Sequence, residues 1–242
     1  KLKEKKYRDE HNEFIIEGLK MLEEAINENI KIKMVVVCDG CLNSDPIKTD
    51  LLYKLAKEKV VYVSENIFKS LTDVVAPQGI LAIVEKNLSN DIDYSQNLFL
   101  VLDNIQDPGN MGTILRTADS VNLTQIIVPK GNADSYNPKV VRSTMGAIFR
   151  VNVIEVLDLE ETIKEMKKQK IQILATDLME SCSIYDVNYN KSAIIIGNEG
   201  NGVSDKILKL ADKRIKIPMI GKTESLNAAV ATGIILYNAI KE

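Results

Sequence analysis

Apolar residues in this chain fall into two alternating kinds of pattern. Short near-continuous runs suit buried strands, and stretches with apolar residues three or four positions apart suit amphipathic helices. In the first third, strands are predicted over 14–16, 32–37, 60–63 and 79–84. Leu19, Leu22, Ala25 and Ile26 form one helical stripe, and Leu51, Leu52, Leu55 and Ala56 form another within a helix predicted over 47–59. Ser64 caps a short helix that turns Ile67, Phe68 and Leu71 inward. Residues 87–97 are rich in Asn, Asp and Ser and read as a connection. A domain over 1–87, a linker over 88–97 and a second domain over 98–242 are therefore expected.

The second part alternates regularly. Strands are predicted over 98–102, 125–128, 151–154, 171–175, 193–196 and 215–217, and helices over 111–121, 138–145, 159–170, 204–211 and 226–240. Apolar strands separated by helices imply an α/β fold with a parallel sheet covered on both faces. Ligands on such sheets bind beyond the carboxyl ends of the strands. Three polar or glycine-rich clusters fall there, after Leu102, after Ile196 and after Ile217.

Composition narrows the class without naming a partner. The net charge of −3 gives no bulk argument for nucleic acid, so a binder must concentrate its cations locally. Residues 107–150 carry five basic and three acidic side chains, and 206–216 carries five basic residues against Asp212 alone. Lys206, Lys209, Lys213 and Arg214 are candidates for phosphate contacts or for a solvated helix face. Three cysteines do not complete a disulfide framework, which points to a reducing cytosol. Cys38 and Cys41 form a C-x-x-C, but only Cys182 and His11 remain to complete a zinc set, so no metal is expected and both cysteines read as structural. The apolar runs are too short for a membrane span. The first residue is Lys1, so a native N-terminal stretch is expected before it.

The first cluster runs Asp103-Asn-Ile-Gln-Asp-Pro-Gly-Asn-Met-Gly-Thr-Ile-Leu-Arg116. Asp107-Pro108-Gly109 is a turn, Asn110 stands near a helix start, and Arg116 lies nearly two turns further on. Alone, it reads equally as a helix cap followed by a surface arginine. The second is Gly197-Asn198-Glu199-Gly200-Asn201-Gly202. Its glycines let backbone approach a ligand, yet it is neither the dinucleotide fingerprint nor a phosphate-binding P-loop. The third runs from Ile217 through Ser225-Leu226-Asn227 into a helix start carrying Ala228, Ala229, Ala231 and Gly233.

Together the three clusters resemble, in order and spacing, the three motifs of the SpoU (TrmH) family of RNA methyltransferases. Asn110 through Arg116 is similar to the first motif, the glycine cluster to the second and Ser225-Leu226-Asn227 to the third. The resemblance spans roughly 98–241, with one departure at Ala228-Ala229, where many members carry Val-Ser. The first domain, including Glu13-Phe-Ile-Ile-Glu-Gly18 and Pro77-Gln-Gly79, resembles the RNA-binding domain of ribosomal-protein fold that often precedes it.

This resemblance implies a SPOUT fold with a deep trefoil knot, a homodimer with its site near the subunit interface, and a cytoplasmic, non-membrane protein. It also implies methyl transfer from S-adenosylmethionine to a ribose 2′-hydroxyl, with ribosomal RNA the preferred substrate. A tRNA methyltransferase or a noncatalytic RNA-binding scaffold of the same fold are the alternatives. By the same resemblance, Thr176, Gly197, Asn198, Gly200, Ile217, Met219, Ser225 and Leu226 bind the cofactor. Asn110, Glu199, Ser225 and Asn227 orient the target nucleotide, and Arg116 is the catalytic residue. A guanidinium keeps its proton across the working range of proteins, so an electrostatic role for Arg116 is favoured over proton abstraction.

Overall fold

The computed structural model describes residues 1–39, 59–86, 91–179 and 181–241. The helix predicted over 47–59 (Lys59 apart), Cys41 of the C-x-x-C and residues 88–90 of the expected linker lie outside the described residues. The chain divides into two compact units. One comprises Lys1–Asn87 with Tyr136–Arg150, and the other Leu88–Ser135 with Val151–Glu242.

The first unit is built on a four-stranded sheet in the order β1-β4-β2-β3, from β1 (Glu13–Glu17), β2 (Ile32–Cys38), β3 (Val60–Val63) and β4 (Ile80–Glu85). The first three neighbours in that order run antiparallel, and β2 pairs with β3 in parallel. Strand β1 alternates, burying Phe14 and Ile16 between half-buried neighbours, as a sheet with one covered face requires. Helices α1 (Lys5–His11), α2 (Leu19–Asn27) and α3 (Glu65–Leu71) belong to this unit. Helix α2 buries Met21, Leu22 and Ala25, and Phe68 of α3 enters a core with Val36, Cys38 and Leu81. Helix α1 is missing from the sequence reading because its charged side chains leave no apolar stripe.

The helix predicted over 138–145 forms as α4 (Pro138–Thr144) after the cap of Asn137, whose side chain accepts from the Lys139 amide. It packs with the first unit, not with the sheet that flanks it in sequence. Tyr136 places its ring 4.9 Å from Phe14, and Arg150 donates to Glu24 at 2.6 Å and to Glu28 at 3.2 Å. These anchors precede and follow α4, so the short helix is carried to the smaller sheet.

The second unit holds a seven-stranded sheet in the order β7-β6-β5-β10-β8-β11-β9, with every pair parallel. Its strands are β5 (Leu98–Asp103), β6 (Gln125–Pro129), β7 (Asn152–Val156), β8 (Gln172–Thr176), β9 (Cys182–Ser183), β10 (Ser192–Gly197) and β11 (Lys213–Lys216). Both central strands are buried almost throughout, which is why their sequences do not alternate. Helices α5 (Pro108–Ser120), α6 (Leu159–Lys168), α7 (Asp205–Leu208) and α8 (Ala228–Ala239) cover it. One core joins Phe99, Val101, Ile127, Ile163, Met166, Ile173 and Ile195.

Residues 91–97, read from sequence as linker, pack onto this unit. Asp93 and Gln125 exchange two hydrogen bonds, and Ile92 and Tyr94 lie against the core. Helices α4, α6, α7 and α8 are each shorter than their patterns suggest, and β11 ends ahead of Pro218, which has no N–H to continue a ladder. The short edge strand β9 carries too little apolar pattern to be legible.

Candidate active site

The cavity at the carboxyl edge of the larger sheet is closed by loops that follow β8, β10 and β11. Strand β10 ends on Gly197, where a Cβ would lie 2.0 Å from the Val203 nitrogen and 2.1 Å from the Gly202 carbonyl carbon. Only glycine permits that approach, since the opposing atoms are main chain. The loop folds back on itself: the Asn198 and Gly202 amides each donate to the other residue's carbonyl at 2.9 Å, and Gly202 adopts φ +71°. The Asn198 side chain finishes the turn. Its Oδ1 accepts from the Gly200 and Asn201 amides, and its Nδ2 donates to the Asn104 carbonyl in the loop after β5.

Glu199 ties the same two loops more tightly. Its carboxylate accepts from the Gln106 and Asp107 amides at 3.3 and 3.2 Å and from Asn110 Nδ2 at 2.9 Å. Asp107 caps α5 by accepting from the Asn110 amide at 2.8 Å, and Pro108 occupies the first helical turn, where a missing N–H costs nothing. Asn110 Oδ1 then accepts from Asn227 Nδ2 at 2.8 Å, and Asn227 Oδ1 caps α8 at the Ala229 and Val230 amides. The direction of this relay is fixed by its ends. An ionised Glu199 only accepts, and a helix N-terminus only donates, so both intervening amides have one allowed orientation.

Electrostatics follow the same geometry. Burial, the largest single influence, pushes the Glu199 carboxyl up; the bonds from Asn110 and from the Glu199, Asp107 and Gln106 amides together outweigh it and hold the group below its ordinary value. A depressed carboxyl contributes stability above its unfolded value, near ~4.3, and loses it as pH falls through the lower folded value. Glu199→Gln removes that anion and sets an amide against several donors. Cofactor affinity measured by calorimetry is expected to fall about tenfold, the scale of a lost charged hydrogen bond. Unchanged affinity would mean that the latch does not shape the cavity.

The cavity encloses about 430 Å³, within the range of pre-formed small-molecule sites. Thr176, Gly197, Asn198, Gly200, Ile217, Met219, Ser225 and Leu226 all line it. Thr176 is held by its hydroxyl, which donates to the Ile195 carbonyl at 3.0 Å. Of the other sequence-predicted site residues, Glu199 lines the cavity, and Asn110 and Asn227 reach it through the relay. Arg116 does not join them. It lies on the exposed face of α5, outside the cavity lining, with no hydrogen bond or ion pair among the described residues. Six residues carry the helix well past one turn, so Arg116 and Asn110 face different ways.

Sequence reasoning missed the segment after β8. Asp177, Leu178 and Met179 also line the cavity, and Asp177 accepts from the Met179 amide and from Arg214 at 3.2 Å. That loop has no glycine to flag it; its position at a strand end was the available signal. The Asp177 contact also commits the Arg214 guanidinium, one of the four cations considered for phosphate. Among the described residues no cluster of His, Cys, Asp or Glu could hold a metal.

A parallel sheet that gathers a glycine turn, apolar walls and a directed polar relay around one end defines an α/β enzyme site for a small organic ligand. Residues 97–237 match the SpoU rRNA Methylase family, and the chain belongs to that family. Residues 1–82 match the MRM3-like substrate binding domain. The chain is 32% identical, over 98% of its length and 92% of the relative's, to the 23S rRNA (guanosine(2553)-2′-O)-methyltransferase RlmP of Bacillus subtilis. The AdoMet-bound rRNA methyltransferase from Sinorhizobium meliloti superposes with a TM-score of 0.87 at 31% identity, covering 99% of this chain and 91% of that one. The SpoU methyltransferase AviRb from Streptomyces viridochromogenes, in complex with AdoMet, gives 0.89 at 27% identity, with 99% and 94% covered.

Proposed function

We propose that this protein transfers the methyl group of S-adenosylmethionine to a ribose 2′-hydroxyl of ribosomal RNA. The observation that carries this reading is the convergence of the strand-end loops on one cavity bordered by the Glu199–Asn110–Asn227 relay. The lining suits an adenosine. Ile196, Ile217 and Leu226 provide apolar walls, and the glycine loop presents main chain where side chains would obstruct. When bound, the cofactor supplies an already activated methyl group.

What remains for the protein is alignment and charge. Holding hydroxyl and methyl in line supplies on the order of 7–11 kcal/mol at best. Each asparagine of the relay uses one Nδ2 hydrogen internally and keeps a second for the target ribose or its phosphate. Arg116 is a cation free to stabilise the developing alkoxide. The test is methyl transfer from labelled S-adenosylmethionine to ribosomal RNA purified from cells lacking this gene, with mapping of the modified ribose. Cofactor binding without transfer to that RNA would reject the substrate assignment.

The first unit is assigned the task of gripping the RNA, supported by its match to a substrate-binding domain. Among the described residues no helix is long and apolar enough to cross a membrane, and we assign the reaction to the cytoplasm. A homodimer belongs to the same proposal. Helix α8 is apolar nearly all round, and Val230, Tyr237 and Ile240 stand exposed along it. Such a stripe on a helix end-capped within the site asks for a covering surface. Replacing Val230 and Tyr237 together by Lys is expected to halve the mass seen by sedimentation equilibrium. An unaltered mass would remove this face from the interface. The trefoil knot is likewise proposed from the family resemblance; pulling the chain from both ends should leave it shorter than its full contour, and full extension would exclude a knot.

A further inference from the structure

A second cavity lies on the other side of the glycine loop. It encloses about 480 Å³ over the carboxyl ends of β5, β6 and β7 and is bounded by Asn104, Lys130, Leu157, Asn201 and Lys206. Asn198, Asn201 and Gly202 line both cavities, so one thin loop separates them. The position has a topological meaning. From β5 the chain moves outward through β6 and β7, then returns to the far side of β5 through β8 and β10. The crevice at such a reversal is where open parallel sheets bind ligands, yet the proposed cofactor cavity lies beside it, over β8, β10 and β11.

The walls are held by specific hydrogen bonds. Asn132 accepts from the Ile105 amide at 2.7 Å and donates to the Leu102 and Pro129 carbonyls at 3.1 and 2.9 Å, joining the loops after β5 and β6. Asn104 sits at φ +67° and receives the Asn198 amide on its carbonyl. The acidic groups at the rim are engaged. Asp103 accepts from the Ser204 amide at 2.8 Å, Asp158 caps α6 at the Glu161 amide, and Glu160 faces Lys206 at 3.8 Å. That long, exposed pair is weak. Lys130 has no hydrogen bond or ion pair among the described residues, and Leu157 stands 88% exposed at the rim.

We propose that this cavity receives a nucleotide adjacent to the methylated one, in a single-stranded stretch of the RNA. Lys130 and Lys206 meet its phosphate, Asn104 and Asn201 offer amides to the base edge, and Leu157 gives the base an apolar surface. Single-stranded RNA is bound in this manner, by cations along the backbone and a surface under each splayed base. The inference rests on the proposed methyl transfer to RNA and extends it to the residues that choose the sequence around the target.

Lys130 and Leu157 lie outside the cofactor cavity lining and are exposed, so their replacement spares the fold. The experiment compares wild type, Lys130→Glu, Lys130→Arg and Leu157→Glu on ribosomal RNA from cells lacking the gene. Each is assayed for methyl transfer, for filter binding across a salt series and for S-adenosylmethionine affinity. Lys130→Glu and Leu157→Glu are expected to raise the KM for RNA about tenfold, the scale of one lost base-stacking or phosphate contact. Cofactor affinity and kcat at saturating RNA should stay within about twofold. Lys130→Glu should also lower the salt slope by ~0.7 for one phosphate, and Lys130→Arg should restore binding. Unchanged KM in both acidic variants, with an active wild type, overturns this inference alone. A KM rise matched by lost cofactor affinity also overturns it. A wild type that binds the cofactor and leaves the RNA unmodified overturns the substrate reading, and this inference with it.

Discussion

Gly197→Ala should weaken S-adenosylmethionine binding by about 100-fold. The added methyl would sit 2.0 Å from the Val203 nitrogen, and no rotamer can relieve a contact between two pieces of main chain. Relief requires opening the paired Asn198 and Gly202 amides. That movement withdraws Asn198 from Asn104 and Glu199 from Gln106, Asp107 and Asn110. Overpacking at this level costs on the order of 1–3 kcal/mol, and the upper end corresponds to about 100-fold in affinity. The loss of hydrogen bonds adds to it. Calorimetry with the cofactor measures the affinity, and thermal denaturation reports the accompanying fall in stability. A variant that binds within threefold of wild type would show that this turn does not form the cavity wall.

Arg116→Ala should leave that affinity intact and lower turnover by roughly 100- to 1,000-fold, the range for removing one group that stabilises developing negative charge. Arg116 contributes nothing to the cavity lining, and its exposed guanidinium is not spent on a neighbour among the described residues. In the proposed reaction its loss leaves the cofactor's contacts intact and is read in turnover. Lysine keeps the charge but loses the planar fork, so Arg116→Lys should recover only part of the rate. Single-turnover kinetics at saturating RNA and cofactor separate the two cases. Equal turnover of the alanine variant would exclude both the electrostatic and the proton-abstracting role.

The alternation of strand and helix, and the strand ends that carry chemistry, were readable because they depend on local apolar spacing. The strands β5 and β10 announce themselves as unbroken apolar runs followed at once by polar clusters. The relay was not readable. The family resemblance names Asn110, Glu199 and Asn227, but taken singly they are ordinary cap or loop residues; pairing of β5 with β10 brings Glu199 to Asn110, and packing of α5 against α8 brings Asn227. Helix α8 starts at Ala228, two residues beyond the predicted start at 226: Ser225 and Asn227 are both cap residue types, and the two amide contacts of Asn227 decide between them. Placement of α4 depends on Tyr136 and Arg150, whose partners lie far back in the chain at Phe14 and Glu24. Exposure of Arg116 could be read from helical phase, whereas its distance from the cavity required the packing of α5.

Strand β10 enters the sheet between β5 and β8, both of which are synthesised before it. Its first residue, Ser192, pairs with Leu98 on one side and with Gln172 on the other. A nascent polypeptide that stalls before this point leaves two strand edges bare, and such edges recruit other chains. Aggregation of chains truncated before Ser192 is therefore expected to exceed that of the full-length protein.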